Sequence, residues 1–146
     1  MTLSRIKDAI PHREPFLLID EIVEQDDRRI VCRKTFTGDE FWYRGHYPEA
    51  PITPGVVLCE AAMQAGAVLL SQHAAAEPGR VPVATRADNV KFKKMVLPGE
   101  TVELEVVLNE RLADAFFLTG KVTAGGKLAC RLEFACTLAP QATGDG

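Results

Sequence analysis

Thr53-Pro54-Gly55-Val56-Val57-Leu58-Cys59-Glu60-Ala61-Ala62-Met63-Gln64-Ala65-Gly66-Ala67-Val68-Leu69-Leu70 is the stretch on which the fold turns. A hydroxyl side chain followed by proline marks a helix start, with Thr53 as N-cap and Pro54 at the first helical position. The spacing predicts a helix running to about His73, with Pro78-Gly79 closing the segment. Between Val56 and Leu70 only Glu60 and Gln64 are polar. A helix that is apolar nearly all round must have protein on most of its sides. The apolar run is also short of the ~20 residues that span a bilayer. It reads as a core helix.

Outward from it, the pattern is one of strands. A short helix over Ser4 to Ile10 stops at Pro11. Leu17 to Glu24 predicts a strand, Asp26-Asp27-Arg28-Arg29 a turn, and Ile30 to Phe36 a second strand. Thr37 to Pro54 is a loop rich in glycine, proline and aromatics, long enough to be functional. Four more strands are predicted over Val83–Phe92, Thr101–Arg111, Ala115–Thr123 and Lys127–Leu138. Pro98-Gly99 supplies a type II turn and Gly125-Gly126 a hairpin turn. Val102, Leu104 and Val106 alternate with Glu103 and Glu105, the mark of a sheet with one wet face. The fold class is α+β: a long central helix wrapped by a curved antiparallel sheet of about six strands. Residues 1–140 read as a single domain, and 141–146 as a polar tail expected to be disordered.

Composition narrows the function classes. The chain has 146 residues, 47% hydrophobic and 25% charged, the profile of a soluble globular protein. A formal charge of -3 gives no general attraction for nucleic acid or an anionic membrane. Met1 to Pro11 lacks the apolar core of a secretory signal. Cys32, Cys59, Cys130 and Cys136 show no CxxC pair and no ligand spacing with histidine. They are expected to be buried reduced thiols in a cytoplasmic protein without a metal.

Glu60 and His46 are the residues that could carry chemistry. A carboxylate inside an apolar helix must find a partner, rise in pKa, or line a cavity. Gln64 lies one turn further along, on the same face. Upstream, Gly45-His46-Tyr47-Pro48 offers a base for proton abstraction next to a carbonyl. An acid such as Glu60 would then help a hydroxide leave the neighbouring carbon. The intervening enolate needs fixed donors, and the free amides of Gly55 and Val56 would supply them on the first helical turn. The plain alternatives stand beside this. His46 reads equally as a structural loop histidine, Gln64 as a partner that merely satisfies Glu60, and Lys91-Phe92-Lys93-Lys94 as a solvated strand end. His12 and His73 have no partner in sequence and read as structural.

Longer motifs tip the balance. Pro11-His12-Arg13-Glu14-Pro15-Phe16-Leu17-Leu18-Ile19-Asp20 resembles the opening PHRxPFLLxD of the beta-hydroxyacyl-[acyl carrier protein] dehydratase family of hotdog-fold proteins. Gly45-His46-Tyr47-Pro48 with Pro51-Ile52-Thr53-Pro54-Gly55-Val56 resembles its GHFPxxPIxPGV signature. Glu60-Ala61-Ala62-Met63-Gln64 resembles EAxAQ, and the segment from Lys91-Phe92 to Val96-Leu97-Pro98-Gly99-Glu100 resembles KFxxxVxPGD. The likeness runs from about Ile6 to Leu138.

This resemblance implies a dehydratase of (3R)-hydroxyacyl-[acyl carrier protein] thioesters giving trans-2-enoyl thioesters in fatty-acid or related lipid biosynthesis. The catalytic pair maps onto His46 and Glu60, the oxyanion donor onto Gly55 with Val56, and Gln64 joins the substrate-binding group. Glutamate at position 60 resembles the dehydratase-only branch; the branch that also isomerises carries aspartate. No cofactor is implied, because the phosphopantetheine arm arrives with the substrate. Acyl carrier protein is the implied partner, with Lys91, Lys93, Lys94 and Arg80 as docking candidates. The family forms homodimers with sites at the subunit interface, often assembled into hexamers as trimers of dimers. Tyr47 for the usual phenylalanine, Glu49 for a common glycine and Arg86 in an otherwise uncharged strand depart from the pattern. Two rival readings are a hotdog acyl-thioester hydrolase and a non-catalytic acyl-thioester binding module.

Overall fold

In the computed structural model, residues 3–74 and 77–140 are described. The tail expected to be disordered, 141–146, lies outside the described residues. The elements in chain order are α1 (Leu3–Ala9), β1 (Glu21–Gln25), β2 (Arg29–Thr35), a short 3-10 helix (Phe41–Arg44), α2 (Gly55–Ala74), β3 (Arg80–Phe92), β4 (Thr101–Leu112), β5 (Ala115–Ala124) and β6 (Lys127–Pro140). The six strands form one antiparallel sheet in the order β1-β2-β4-β5-β6-β3. The passage from β2 through α2 to β3 crosses from one side of the sheet to the far edge, and the connection from β3 to β4 crosses back to lie beside β2. The short turns follow their chemistry: Gly99 has φ 91, and Gly125 and Gly126 have φ 58 and 78.

The sheet curls round α2. Leu58, Leu69 and Leu70 from the helix meet Leu104, Leu118 and Leu132 from the strands, all fully buried. Each contributes roughly 1.5–3 kcal/mol through the apolar area it removes from water. A β-carbon on Gly66 would sit 2.8 Å from the Phe134 ring, so glycine lets helix and sheet approach this closely. Though α2 is long and apolar enough to cross a membrane, its burial against the strands makes it a core helix. One strip of it stays open: Val56 is 73% exposed, and Cys59, Glu60 and Met63 are only partly covered.

Three details depart from the sequence reading. The strand expected from Leu17 begins only at Glu21. Leu17, Leu18 and Ile19 are buried, but the Gln64 side chain takes the place of a neighbouring strand there, receiving the Leu18 N–H and donating to the Phe16 carbonyl, both at 2.8 Å. The helix begins at Gly55, one residue later than expected, with Pro54 supplying its first carbonyl. Thr53 does not cap it; its hydroxyl instead pairs with the Tyr43 hydroxyl at 2.6 Å. Finally, Cys32, Cys130 and Cys136 are buried as expected, whereas Cys59 is half-buried.

β3 is the longer of the two edge strands of the sheet. Thirteen residues long, it carries Val83, Val90 and Phe92 as exposed apolar side chains. Irregular pairing with β6 falls between Ala84 and Arg86 and between Asp88 and Lys91, the latter containing Asn89 at φ 49. An edge this long leaves a row of backbone groups available for pairing.

Candidate active site

His46 is presented by a loop pinned at several points. Trp42 and Tyr43 of the 3-10 helix are buried, Tyr43 holds Thr53, and the Thr53 amide donates to the Val96 carbonyl at 2.8 Å. Tyr47 then turns through a left-handed conformation, φ 57, and its ring meets the His46 ring edge-on at 4.8 Å. His46 Nδ1 lies 2.9 Å from the Ile52 carbonyl oxygen. A carbonyl can only accept, so Nδ1 carries the hydrogen and a neutral imidazole has its lone pair on Nε2. The outward nitrogen is therefore the basic one.

That histidine looks into a cleft of about 580 Å³ between the loop, the start of α2 and the end of β3, lined by Ile52, Pro54, Gly55, Leu58 and Phe92 among others. The amides of Gly55 and Val56 have no hydrogen-bond partner among the described residues, as the first turn of a helix dictates. Any β-carbon at Gly55 would lie 2.5 Å from the Phe92 ring. Glycine is thus required for the ring to close over the helix start, and its amide is left approachable. The cleft is mainly apolar with donors at one end, which suits an acyl thioester.

Glu60 does not line this cleft, and no hydrogen bond or ion pair joins it to His46 among the described residues. Its Oε2 receives a hydrogen bond from Gln64 Nε2 at 2.9 Å and lies 3.8 Å from His12 Nε2. Oε1 has no partner among the described residues. Gln64 is itself buried and spends its remaining capacity on Phe16 and Leu18, so the carboxylate is held by a rigid hub. His12 was not legible as part of this group. It stands 48 positions from Glu60 in sequence, and Gln64's grip on Phe16 and Leu18 helps carry its segment to the helix. Its Nδ1 is buried without a hydrogen-bond partner among the described residues.

The basic candidates divide. Lys91 and Lys93 have no ion pair or hydrogen bond from their side chains among the described residues, and Lys93 stands on the wall of the His46 cleft. Lys94 lines the same cleft but is tied to the Ala124 carbonyl at 3.2 Å and to Glu100 at 3.7 Å. Arg80 belongs elsewhere. It starts β3 while the lysines end it, a separation on the order of 40 Å along the strand, and it pairs with Glu77 and Asp114. A second depression of about 610 Å³ lies near Arg80, at the N-terminal helix. Its cations Arg5, Lys7, Arg13 and Arg80 are all engaged by carboxylates, an amide or backbone carbonyls. Among the described residues no group of His, Cys, Asp or Glu converges as metal ligands.

A long helix wrapped by a six-stranded antiparallel sheet, with a histidine loop feeding the helix start, defines a hotdog-fold protein. Solved structures share this fold: the dehydratase heterocomplex ApeI:P from Xenorhabdus doucetiae has a TM-score of 0.79 at 15% identity, covering 93% of this chain and 91% of its own. The E. coli PaaI protein has a TM-score of 0.65 at 14% identity, covering 80% and 81%. The model of the FabA-like domain matches residues 10–133, and the chain belongs to the FabA-like family. It is 39% identical to a Clostridium perfringens protein named 3-hydroxyacyl-[acyl-carrier-protein] dehydratase FabZ, over 91% of this chain and 95% of that one. The Staphylococcus carnosus protein of the same name is also 39% identical, over 89% and 90%.

Proposed function

We propose that this protein is a 3-hydroxyacyl-[acyl carrier protein] dehydratase, removing water from a (3R)-hydroxyacyl thioester to give the trans-2-enoyl thioester in fatty-acid or related lipid biosynthesis. The observation that carries the reading is the similarity to proteins of that name over nine-tenths of this chain.

His46 Nε2 takes the proton from C2, its Nδ1–H held by Ile52 so that the new imidazolium keeps its orientation. Charge moves onto the thioester oxygen, where the Gly55 and Val56 amides receive it with the helix dipole behind them. Glu60, steadied at Oε2 by Gln64, delivers a proton from Oε1 to the C3 hydroxyl as the C–O bond breaks and the double bond forms. Water leaves. One proton has passed from substrate to His46 and one from Glu60 to the leaving group, and transfer from His46 back to Glu60 restores the start. No metal or redox cofactor enters this scheme, and the phosphopantetheine arm comes with the substrate.

The working unit is a homodimer, with His46 of one subunit facing Glu60 of the other. Support comes from the separation of the two residues within one chain, the open strip Val56-Glu60-Met63 on α2, and the unpaired edge of β3. Hexamers built as trimers of dimers fit the same reading. Lys93, at the cleft, and Lys91, nearby at the end of β3, steer the acidic carrier protein in the cytoplasm; Lys94 adds charge there, and Arg80 takes no part.

The direct test is to incubate the purified protein with a 3-hydroxyacyl carrier protein and weigh the product. A thioester lighter by one water supports the reading. Free acid with released thiol, the result for an acyl-thioester hydrolase, or tight binding with unchanged substrate overturns it.

A further inference from the structure

Helix and sheet meet at two sulfurs that the proposed chemistry does not use. Cys59 Sγ on α2 and Cys130 Sγ on β6 lie 3.9 Å apart in hydrogen-bonding contact. A disulfide needs its sulfurs about 2 Å apart, so the pair must close to form one. The two sites are unequal. Cys130 is fully buried, while Cys59 is half-buried and stands next to Glu60 in sequence. Cys32 and Cys136 are buried, make no sulfur contact among the described residues, and are pushed up to about 12 by burial.

We propose that Cys59 and Cys130 are a redox pair, converted by a hydroperoxide into an intramolecular disulfide that locks the first turns of α2 to β6 and slows the enzyme. The asymmetry of the pair sets the order of events. The contact between the two sulfurs holds the Cys59 thiol below its ordinary range, with burial opposing. The same contact, with burial, pushes Cys130 up. Cys59, the less buried of the two, is therefore the nucleophile. Its thiolate attacks one peroxide oxygen, forming an S–O bond as the O–O bond breaks and hydroxide leaves. The Cys130 sulfur then attacks the Cys59 sulfur, giving up its proton; the S–O bond breaks and the S–S bond forms. Two thiols and one hydrogen peroxide yield one disulfide and two waters, the sulfurs oxidised and the peroxide reduced.

The consequence for turnover rests on the dehydratase reading; the cross-link does not. Closing the sulfurs shifts Cys59 and with it Glu60, and misplacing a reacting group by about 1 Å costs on the order of 10²-fold. The test treats the native, full-length protein with hydrogen peroxide, then unfolds it in N-ethylmaleimide. Expected are a chain lighter by two hydrogens before alkylation, a peptide joining Cys59 to Cys130, and maleimide on Cys32 and Cys136 only. Activity falls by roughly 10- to 100-fold and returns with dithiothreitol. Cys59→Ser and Cys130→Ala each keep activity and lose the response, and Cys130→Ala leaves Cys59 as a sulfenic acid that dimedone traps. Four alkylated cysteines, a disulfide between two chains, or Cys59 oxidised past sulfenic acid in the wild type overturns the pair. A cross-link without loss of activity overturns its regulatory part. A protein inactive before any oxidation instead marks failure of the dehydratase reading.

Discussion

Among the described residues, His46 is bonded at Nδ1 and not at Nε2, and Glu60 at Oε2 and not at Oε1. In the proposed mechanism this one-sided tethering aims each reacting atom without occupying it. Separate proton transfers of this kind are worth ~10²- to 10⁴-fold each. His46→Ala and Glu60→Gln are therefore expected to lose turnover on that scale with unchanged circular dichroism, read by steady-state assay of each purified variant. Gln64 behaves differently, since its side chain anchors Phe16, Leu18 and Glu60 at once. Gln64→Ala leaves a buried N–H and a buried carbonyl without partners, at about 1–3 kcal/mol apiece. Urea titration should show its midpoint well below that of the wild type, in contrast to Glu60→Gln. From sequence, Gln64 could be read as a neighbour of Glu60 because the two are four residues apart on one helix face. Its hold on Phe16 and Leu18, and the place of His12 beside Glu60, depend on how distant segments pack. No local periodicity encodes that.

The elements show the same division between local and tertiary control. α2 and β2 to β6 were legible because strict alternation, an apolar run and Pro-Gly or Gly-Gly turns are local signals. The late start of β1 was not, since Leu17 to Ile19 is as apolar as a strand but is bonded by a side chain instead. The β4–β5 hairpin also turns without glycine: Ala113 holds φ 54 in the first of its two turn residues. An L side chain in that conformation is strained by roughly 1–2 kcal/mol, partly offset because glycine loses more chain entropy on folding. Ala113→Gly is expected to stabilise the protein by about 0.5–1 kcal/mol. A thermal melt checks this, and an unchanged or lower midpoint would show that the turn is not strained.

For the molecule as a whole, the motifs quoted from Pro11 to Glu100 pointed to the hotdog fold and the FabA-like family, and the comparisons bear both out. The fate of Arg80 was not legible, because sequence cannot show that β3 carries it to the far end from Lys91 and Lys93. Steering by exposed lysines acts over a Debye length of about 10 Å at 0.1 M salt. Raising the salt should therefore weaken kcat/KM for carrier-protein substrates more than for small thioester mimics. Lys91→Glu with Lys93→Glu should reduce that difference. Equal salt sensitivity for both substrates would remove the lysines from docking.

The central claim is an active site shared between subunits, and mixing two inactive variants tests it most directly. A dimer with His46→Ala in one chain and Glu60→Ala in the other gathers both lesions in one site and leaves the second site intact. Random assortment makes half the dimers mixed, so two-fold symmetry predicts that roughly a quarter of wild-type activity returns on co-expression. If confirmed mixed dimers stay as inactive as either parent, His46 and Glu60 do not act across the interface and the shared site is wrong.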